Sequence, residues 1–251
     1  MMATPTAGPG HAGFDPDSYR RARAIEGRLL DDALVARLPS LPASHPLAGE
    51  WALRGQTAAR FMTWLEATPA PRTVLDIGCG TGWLTAVISG VPGTQAIGID
   101  LEGPELDQAR RVFVQPDGPA FVAGAAETVD AASFAPDVIV LASVIQYLAD
   151  PAGVVTRLLG ACRPGGSVHV LDSPLYRRDE VPAATARTAT HYERIGIPEQ
   201  AAAYHHHMLE TFARLAPALV RARPPAWRAT LAARLGRPIS PFPWLRFDRP
   251  G

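Results

Sequence analysis

The sequence contains no lysine, so all 24 of its basic residues are arginines and catalysis by a lysine is excluded. Its two cysteines, Cys79 and Cys162, provide neither a disulfide framework nor the spacing of a zinc site, which suits a reducing cytoplasm. No apolar run approaches the ~20 residues needed to cross a bilayer, and the N-terminus lacks the cationic start and apolar stretch of a secretory signal. We therefore expect a cytoplasmic protein that has no membrane partner.

Excess charge of either sign is also missing, because 24 acidic residues offset the 24 arginines. A strongly basic groove for nucleic acid is therefore not expected. Apolar residues make up 47% of the 251 residues and charged residues only 19%, which is enough to bury one sizeable core.

Short apolar segments alternate with helix-like segments in the middle of the chain, and this alternation predicts a parallel sheet covered on both faces. The predicted strands are 73–77, 95–100, 120–123, 137–141 and 167–172. Helical spacing predicts helices over 19–38 and 47–65 before the sheet, and over most of 179–235 after it. Residues 244–247 are predicted to form a late strand, whose partner the pattern does not identify.

The most informative segment is VLDIGCGTG at residues 74–82. Its three glycines follow a predicted strand and open a helix, an arrangement that lets the backbone approach a ligand closely. A dinucleotide site requires another glycine where this chain has Trp83, and the upstream Asp76 would repel a pyrophosphate but attract an ammonium group. A Walker-type phosphate loop requires a lysine, which the chain lacks.

This segment resembles motif I of the class I S-adenosylmethionine (SAM)-dependent methyltransferases. The segments IGIDLE, PDVIVLASVIQYLADP and CRPGGSVHVLD also resemble that family, in the same order and spacing, and together they cover about residues 70–175. The resemblance implies SAM as cofactor and an α/β fold, doubly wound and Rossmann-like, with a seven-stranded, mostly parallel sheet.

The resemblance also implies which residues bind SAM. Asp100 is expected to bind both ribose hydroxyls and Leu101 to lie against the adenine. Many relatives carry an aspartate where this chain has Ala125, so the adenine amino group is expected to meet either Glu127 or the backbone of Ala125 and Ala126. The full predicted set is Asp76, Gly78, Cys79, Gly80, Gly82, Asp100, Leu101, Ala125, Ala126, Glu127 and Ser143.

Three residues are predicted to be catalytic. Gln146 is expected to lie near the sulfonium. Many relatives carry a histidine pair where this chain has Gln146 and Tyr147. Tyr176 follows the fifth strand, at the sheet edge where ligands bind, and could orient a nucleophile or accept a proton. His206 belongs to a run of three histidines in a predicted helix; successive side chains there diverge by about 100°, so we expect no metal site but one general base.

The helical segments on either side of the sheet are expected to cover the cleft, with Tyr19, Trp51 and Arg54 as candidates for closing over SAM. We divide the single domain into a flexible tail (1–13), an N-terminal helical cover (14–69), a SAM-binding Rossmann-like core (70–175), and a helical lid with C-terminal edge strands (176–251). A covered cleft suits a small-molecule substrate.

Three functions remain open at this point. The first is methyl transfer to oxygen, nitrogen or carbon of a small molecule, in specialised metabolism. In the second, SAM itself is the substrate: its amine attacks its own side chain, which gives azetidine-2-carboxylate and methylthioadenosine. The third is SAM binding without catalysis. The chain is expected to act as a monomer or a homodimer.

Overall fold

The protein is built on one seven-stranded sheet. The computed structural model describes residues 15–235 and 238–251, so the tail predicted at 1–13 lies outside the described residues. The strands are β1 Arg72–Ile77, β2 Thr94–Asp100, β3 Ala120–Ala123, β4 Val138–Ala142, β5 Ser167–Leu171, β6 Ala218–Arg221 and β7 Trp244–Asp248. Their order is β3-β2-β1-β4-β5-β7-β6; β1 to β5 run parallel, and β7 is antiparallel to both of its neighbours. The predicted α/β fold is confirmed.

Helices cover both faces of the sheet, as the continuous burial of β1 and β5 requires. Helix α6 packs on one face, and α3 and α4 pack on the other. The helices are α1 Pro16–Ile25, α2 Asp32–Val35, α3 Ala48–Glu66, α4 Trp83–Ser89, α5 Pro104–Phe113, α6 Pro151–Ala161, α7 Val181–Arg194 and α8 Ala226–Arg234. None of the helices in the described residues combines the length and apolarity that a membrane span requires.

The strand order reverses direction between β1 and β4. From β1 the chain winds outward through β2 to β3, and it then returns to place β4 on the other side of β1, where Val74 pairs with Val138. Connections leave β1 and β4 in opposite directions, so a crevice opens at their carboxyl ends. The glycine loop that follows β1 lies at this crevice.

The N-terminal cover differs from the prediction in one respect. The expected helix over 19–38 is wrong as a single helix, because the chain forms α1 and then α2 with a turn between them. Gly27 adopts a φ of 66° after α1, and Asp31 caps α2 by accepting from the Leu34 N–H at 2.8 Å. The helix predicted over 47–65 is confirmed as α3.

The region after β5 differs more. Residues 179–235 contain α7 and α8, but residues 204–207 are not helical, so the helix predicted around His206 is wrong. Residues 218–221 form β6 instead of helix and provide the missing partner of β7. The strand forms because β7 offers a free edge, and this pairing outweighs the local preference of an alanine- and arginine-rich segment.

The two parts of the cover meet over the crevice. Arg21 of α1 forms an ion pair with Glu199 at 2.6 Å, and the Ser18 hydroxyl donates to the same carboxylate at 3.2 Å. Glu26, just after α1, lies 2.7 Å from Nε2 of His191 in α7. The N-terminal helix is therefore attached to the segment after β5 rather than to the sheet alone.

Candidate active site

The glycine loop between β1 and α4 depends on residues without side chains. Gly78, Gly80 and Gly82 have φ angles of 74°, 53° and 77°, in the left-handed region that favours glycine. A Cβ at Gly78 would lie 2.4 Å from a methyl group of Val144, and one at Gly82 would lie 2.6 Å from the Phe121 ring. At Gly80 a Cβ would meet nothing within 4 Å. Packing therefore requires the outer two glycines, whereas the middle one faces open space.

Asp100, at the end of β2, holds this loop. Its Oδ2 accepts from the Gly80 N–H at 2.5 Å, and its Oδ1 accepts from the Leu101 N–H at 2.7 Å. The carbonyl of Ile99 accepts from the Gly78 N–H at 2.7 Å. The end of β2 thus fixes the backbone of the glycine loop and places a carboxylate beside it.

Asp76, the acidic residue of β1, is only 2% exposed. The Thr85 hydroxyl donates to its Oδ2 at 2.7 Å. Burial, reinforced by the nearby negative charge of Asp100, raises the pKa of Asp76 to about 7. An ammonium group placed beside this carboxylate would favour its ionised form, whereas a phosphate would be repelled.

A cavity of about 400 Å³, called here the first cavity, opens beside the glycine loop. Six predicted site residues line it: Asp76, Gly78, Cys79, Gly80, Ser143 and Gln146. Tyr19, Trp51 and Arg54 of the cover line it too. Burial raises the pKa of Cys79 well above its usual value, so this thiol stays protonated.

The remaining predicted SAM-binding residues lie outside the lining of the first cavity. They are Gly82, Asp100, Leu101, Ala125, Ala126 and Glu127. The Ala125 carbonyl accepts from the Val129 N–H at 2.9 Å, and the Ala126 carbonyl accepts from the guanidinium of Arg157. Both carbonyls therefore accept hydrogen bonds from within the protein. Their contact with the adenine amino group stays a prediction.

A larger space of about 570 Å³, called here the second cavity, adjoins the first. All five tyrosines of the chain line it: Tyr19, Tyr147, Tyr176, Tyr192 and Tyr204. Residues that line both cavities form a shared wall: Tyr19, Arg23, Arg28, Glu50, Arg54, Ser143, Gln146 and Tyr147. Two of the tyrosines, Tyr19 and Tyr147, therefore belong to the wall, and the other three lie on the side away from the glycine loop.

Ser143, directly after β4, organises that wall. Its hydroxyl accepts from Nη1 of Arg54 at 3.0 Å and donates to the Asp172 carbonyl at 2.9 Å. Glu50 holds the same arginine through Nη2 at 3.0 Å. The φ angle of Ser143 is 61°, an uncommon value for a residue with a side chain. Backbone strain of this kind is concentrated at functional sites.

Gln146 presents a buried acceptor in the shared wall. Its Nε2 donates to the Ser143 carbonyl at 2.7 Å, which fixes the orientation of the amide. Its Oε1 is buried and has no hydrogen-bond partner among the described residues. A buried acceptor without a partner is costly, and a bound molecule that donates to it would remove this cost.

Asp172, directly after β5, is a candidate that the sequence prediction missed. It is buried, lines the second cavity, and has a φ of 46°. The Thr57 hydroxyl donates to its Oδ1 at 2.8 Å. Burial raises the pKa of Asp172, which brings this carboxyl closer to the range of a general base. Its place at the carboxyl end of a central strand was a signal in the sequence that could have identified it.

The other predicted catalytic residues are placed differently. Tyr176 lines the second cavity, but His206 lines neither cavity. The ring nitrogens of His206 lie 3.4 Å and 2.9 Å from the hydroxyls of Thr185 and Thr188 in α7. The ring centroid of His206 lies 5.3 Å from that of Tyr176. This arrangement supports the tyrosine ring rather than bringing the histidine to the cavity.

Trp51, which the sequence suggested as a residue closing over SAM, has a local packing partner. Trp51 is buried edge-on against Trp83, with ring centroids 5.3 Å apart.

In residues 15–235 and 238–251, no group of three histidine, cysteine, aspartate or glutamate side chains is arranged to hold a metal ion.

Sequence comparison finds relatives among known methyltransferases. A family model described as a methyltransferase domain matches residues 75–170. A trans-aconitate 2-methyltransferase from Methylobacterium radiotolerans is 33% identical over 190 residues, covering 70% of this chain and 68% of that protein. A second trans-aconitate 2-methyltransferase, from Acidovorax sp., is 36% identical over 120 residues and matches only 43% of each chain.

Solved structures share the fold at low sequence identity. The plantazolicin methyltransferase BpumL, in complex with a triazolic desmethylPZN analog and S-adenosylhomocysteine (SAH), matches with a TM-score of 0.59 at 16% identity, covering 94% of this chain and 92% of that one. A putative methyltransferase from Haloferax volcanii, in complex with the Trm112 activator, matches with a TM-score of 0.55 at 15% identity, covering 88% and 97%. The chain therefore belongs to the class I SAM-dependent methyltransferases and uses SAM as its methyl donor.

Proposed function

We propose that the chain transfers the methyl group of SAM to a small molecule bound in the second cavity. The observation that carries this proposal is the shared wall: the cavity at the glycine loop and the tyrosine-lined cavity meet at Ser143 and Gln146. A donor in one cavity and an acceptor in the other would be held close together, which is the main requirement for such a transfer. A space of about 570 Å³ has the size of a small-molecule site.

The residues around the first cavity fit SAM. Asp76 is a buried carboxylate that an ammonium group would stabilise, and the open space at Gly80 leaves room for a ligand beside the backbone. Each oxygen of Asp100 accepts one backbone N–H, and a carboxylate retains further lone pairs that can accept from ribose hydroxyls.

When bound, SAM supplies a methyl group on a sulfonium, and the acceptor's nucleophile takes the methyl group while the sulfur keeps the bonding electron pair and leaves as SAH. The chain's own part is to orient the nucleophile and to accept its proton. We assign the proton to Asp172, since its second carboxylate oxygen has no hydrogen-bond partner among the described residues and it lines the second cavity. Gln146 and Tyr176 would orient the acceptor by hydrogen bonds.

The relatives support a small acceptor, because trans-aconitate, named for two of them, is a small molecule. A place in specialised metabolism stays a prediction. Cyclisation of SAM needs no second substrate, so the large second cavity favours transfer to a separate acceptor over that alternative.

The decisive experiment incubates the purified protein with SAM, first alone and then with a fractionated metabolite extract, and follows the products by mass spectrometry. Release of SAH only when an extract fraction is present would support the proposal. Methylthioadenosine and a cyclic amino acid from SAM alone would show the cyclase instead. Bound SAM with no product under either condition would leave a binding protein and overturn the proposal.

A variant pair tests the assignment of the proton. Asp172→Asn should lower methyl transfer by roughly 100-fold, the lower end of the range for general-base catalysis, while SAM binding is retained. Asp179→Asn serves as control, because Asp179 is exposed and lines neither cavity. Equal rates in the two variants would remove Asp172 from the mechanism.

A further inference from the structure

The second cavity concentrates one residue type to an unusual degree. The chain has only five tyrosines in 251 residues, and every one of them lines this cavity. Tyr147 connects two of the others edge-on, with its ring centroid 5.3 Å from that of Tyr19 and 5.7 Å from that of Tyr204. Tyrosine rings arranged in this way offer flat apolar surfaces with hydroxyl groups at their rims.

An aromatic enclosure alone does not decide the charge of its ligand, because ring faces attract cations as well as flat apolar groups. The arginines around the cavity decide it. Arg28 is neutralised by Glu26 at 3.0 Å and Glu50 at 2.7 Å, and Arg54 is paired with Glu50 at 3.0 Å. These two arginines therefore already have carboxylate partners.

Arg23 and Arg187 also line the second cavity, and neither forms an ion pair with any carboxylate of the described residues. The guanidinium of Arg23 lies 5.8 Å from the centre of the Tyr19 ring. The charge of Arg187 acts on Tyr176, where it partly offsets the effect of burial, which raises the pKa of that phenol. Two positive charges without an ion-pair partner therefore lie among the tyrosines, against one such carboxyl, that of Asp172.

Neutral phenols reinforce the preference that these charges set. Burial raises the pKa of Tyr192 to about 12 and that of Tyr204 above its usual value, so both are neutral at neutral pH, and the Tyr204 hydroxyl is hydrogen-bonded to that of Tyr176. A cation in the cavity would be repelled by both arginines, whereas an anion would meet two guanidinium groups and phenolic donors.

We infer that the acceptor is a planar organic acid, whose conjugated body lies against the tyrosine rings and whose carboxylate is bound by Arg23 and Arg187. The inference rests on the proposed function and specifies the class of its acceptor. It assigns to α1 and α7, the two parts of the cover that meet over the crevice, a joint role in recognising the substrate.

A charge series on one planar skeleton tests this inference. Calorimetry on the protein saturated with SAH would compare trans-cinnamate, trans-cinnamamide and cinnamylamine, which carry a negative, a neutral and a positive group. The acid should bind about tenfold or more tightly than the amide, the scale of charge-assisted hydrogen bonds, and the amine should bind weakest. An acid that binds no better than the amide, or not at all, would overturn the inference.

Three variants test whether Arg23 and Arg187 supply the positive charge that binds the acid. Arg23→Gln and Arg187→Gln should each weaken trans-cinnamate binding by about tenfold and leave trans-cinnamamide binding unchanged. Arg178→Gln is the matched control, because Arg178 is exposed and lines neither cavity. Loss of affinity for the acid in the control variant, or its retention in both test variants, would contradict the assignment.

A second measurement does not depend on the chosen skeleton. Extract fractions separated by ion exchange at neutral pH would be assayed for acceptor-dependent release of SAH. Acceptor activity should be retained on an anion exchanger; activity in the flow-through or on a cation exchanger would overturn the inference while leaving the proposed function in place. If the protein bound neither SAM nor SAH, the proposed function itself would fail.

Discussion

The most specific prediction concerns Asp76, whose buried carboxyl should couple cofactor binding to pH. Its pKa of about 7 means that it is mostly protonated at pH 6 in the free protein. If the ammonium group of the cofactor requires the ionised carboxylate, affinity must rise as the pH increases through 7, with a proton released on binding. The α-amino group of SAH, a free amino acid, is more basic than a peptide N-terminus because its own carboxylate lies beside it, so it stays charged over this range.

The pKa of Asp76 sets the size of the effect. About one tenth of the Asp76 carboxyl groups are ionised at pH 6 and about nine tenths at pH 8. Binding should therefore be roughly tenfold weaker at pH 6 than at pH 8, and roughly 30-fold weaker at pH 5.5.

The assay is calorimetric titration with SAH, which carries the same amino group as SAM but cannot donate a methyl group. Titrations between pH 5.5 and 8.5, in buffers with different ionisation enthalpies, give both the affinity and the number of protons released. Asp76→Asn should bind SAH weakly and lose the rise between pH 5.5 and 7. A flat profile in the unmodified protein, or the same profile in the variant, would refute the reasoning.

The same carboxyl should affect stability without ligand. Because the folded-state pKa of Asp76 lies above its unfolded value of 3.8, its contribution is fully present below pH 3.8 and is lost as the pH rises through 7. Between pH 5.5 and 8 the loss is about 2 kcal/mol of unfolding free energy. Urea unfolding of the ligand-free protein should show a corresponding difference in pH dependence from Asp76→Asn, and parallel pH dependences would contradict it.

The remaining predictions concern the glycine loop and the two cavities. Asp100→Ala should weaken SAH binding by about 1.5–3 kcal/mol, the scale of charge-assisted hydrogen bonds; unchanged affinity in calorimetry would remove the ribose assignment. Gly80→Ala and Gly82→Ala both place a side chain at a positive φ, but only the methyl group at position 82 would also lie 2.6 Å from an aromatic ring. Gly80→Ala should therefore lose SAH affinity and unfold at a higher urea concentration than Gly82→Ala. Equal unfolding midpoints for these two variants would contradict this difference. Tyr176→Phe should lower turnover, measured by SAH release, much more than SAM affinity, and an unchanged rate would remove Tyr176 from the catalytic residues.

The sheet could be predicted from the sequence because its signals are local. Each buried strand appears in the sequence as a short apolar run, and the glycines at 78–82 mark the turn between the first strand and the helix that follows it. The segment 218–221 carries no such signal, since it becomes a strand only by pairing with β7. The break at Gly27 was present in the sequence, but the apolar spacing continued across it and concealed the turn.

The residues of the candidate site also fall into those that the sequence predicts and those that only the folded chain brings together. Asp76 and the loop glycines were accessible from the sequence because they share one motif with fixed spacing. Arg23 and Arg187 are far apart in the chain, and only the packing of α1 against the segment after β5 brings both to one cavity. His206 shows the reverse, because a residue type suited to base catalysis lies instead against threonines of α7.

The placement of every tyrosine at one cavity has a practical consequence for studying the protein in solution. Ultraviolet difference spectra in the phenol band, or the rate of nitration by tetranitromethane, usually average over tyrosines scattered across a molecule. Here each phenol that contributes belongs to the same enclosure. The unlabelled protein thus carries a built-in optical and chemical probe for the arrival of an acceptor, with no mutation or attached dye required.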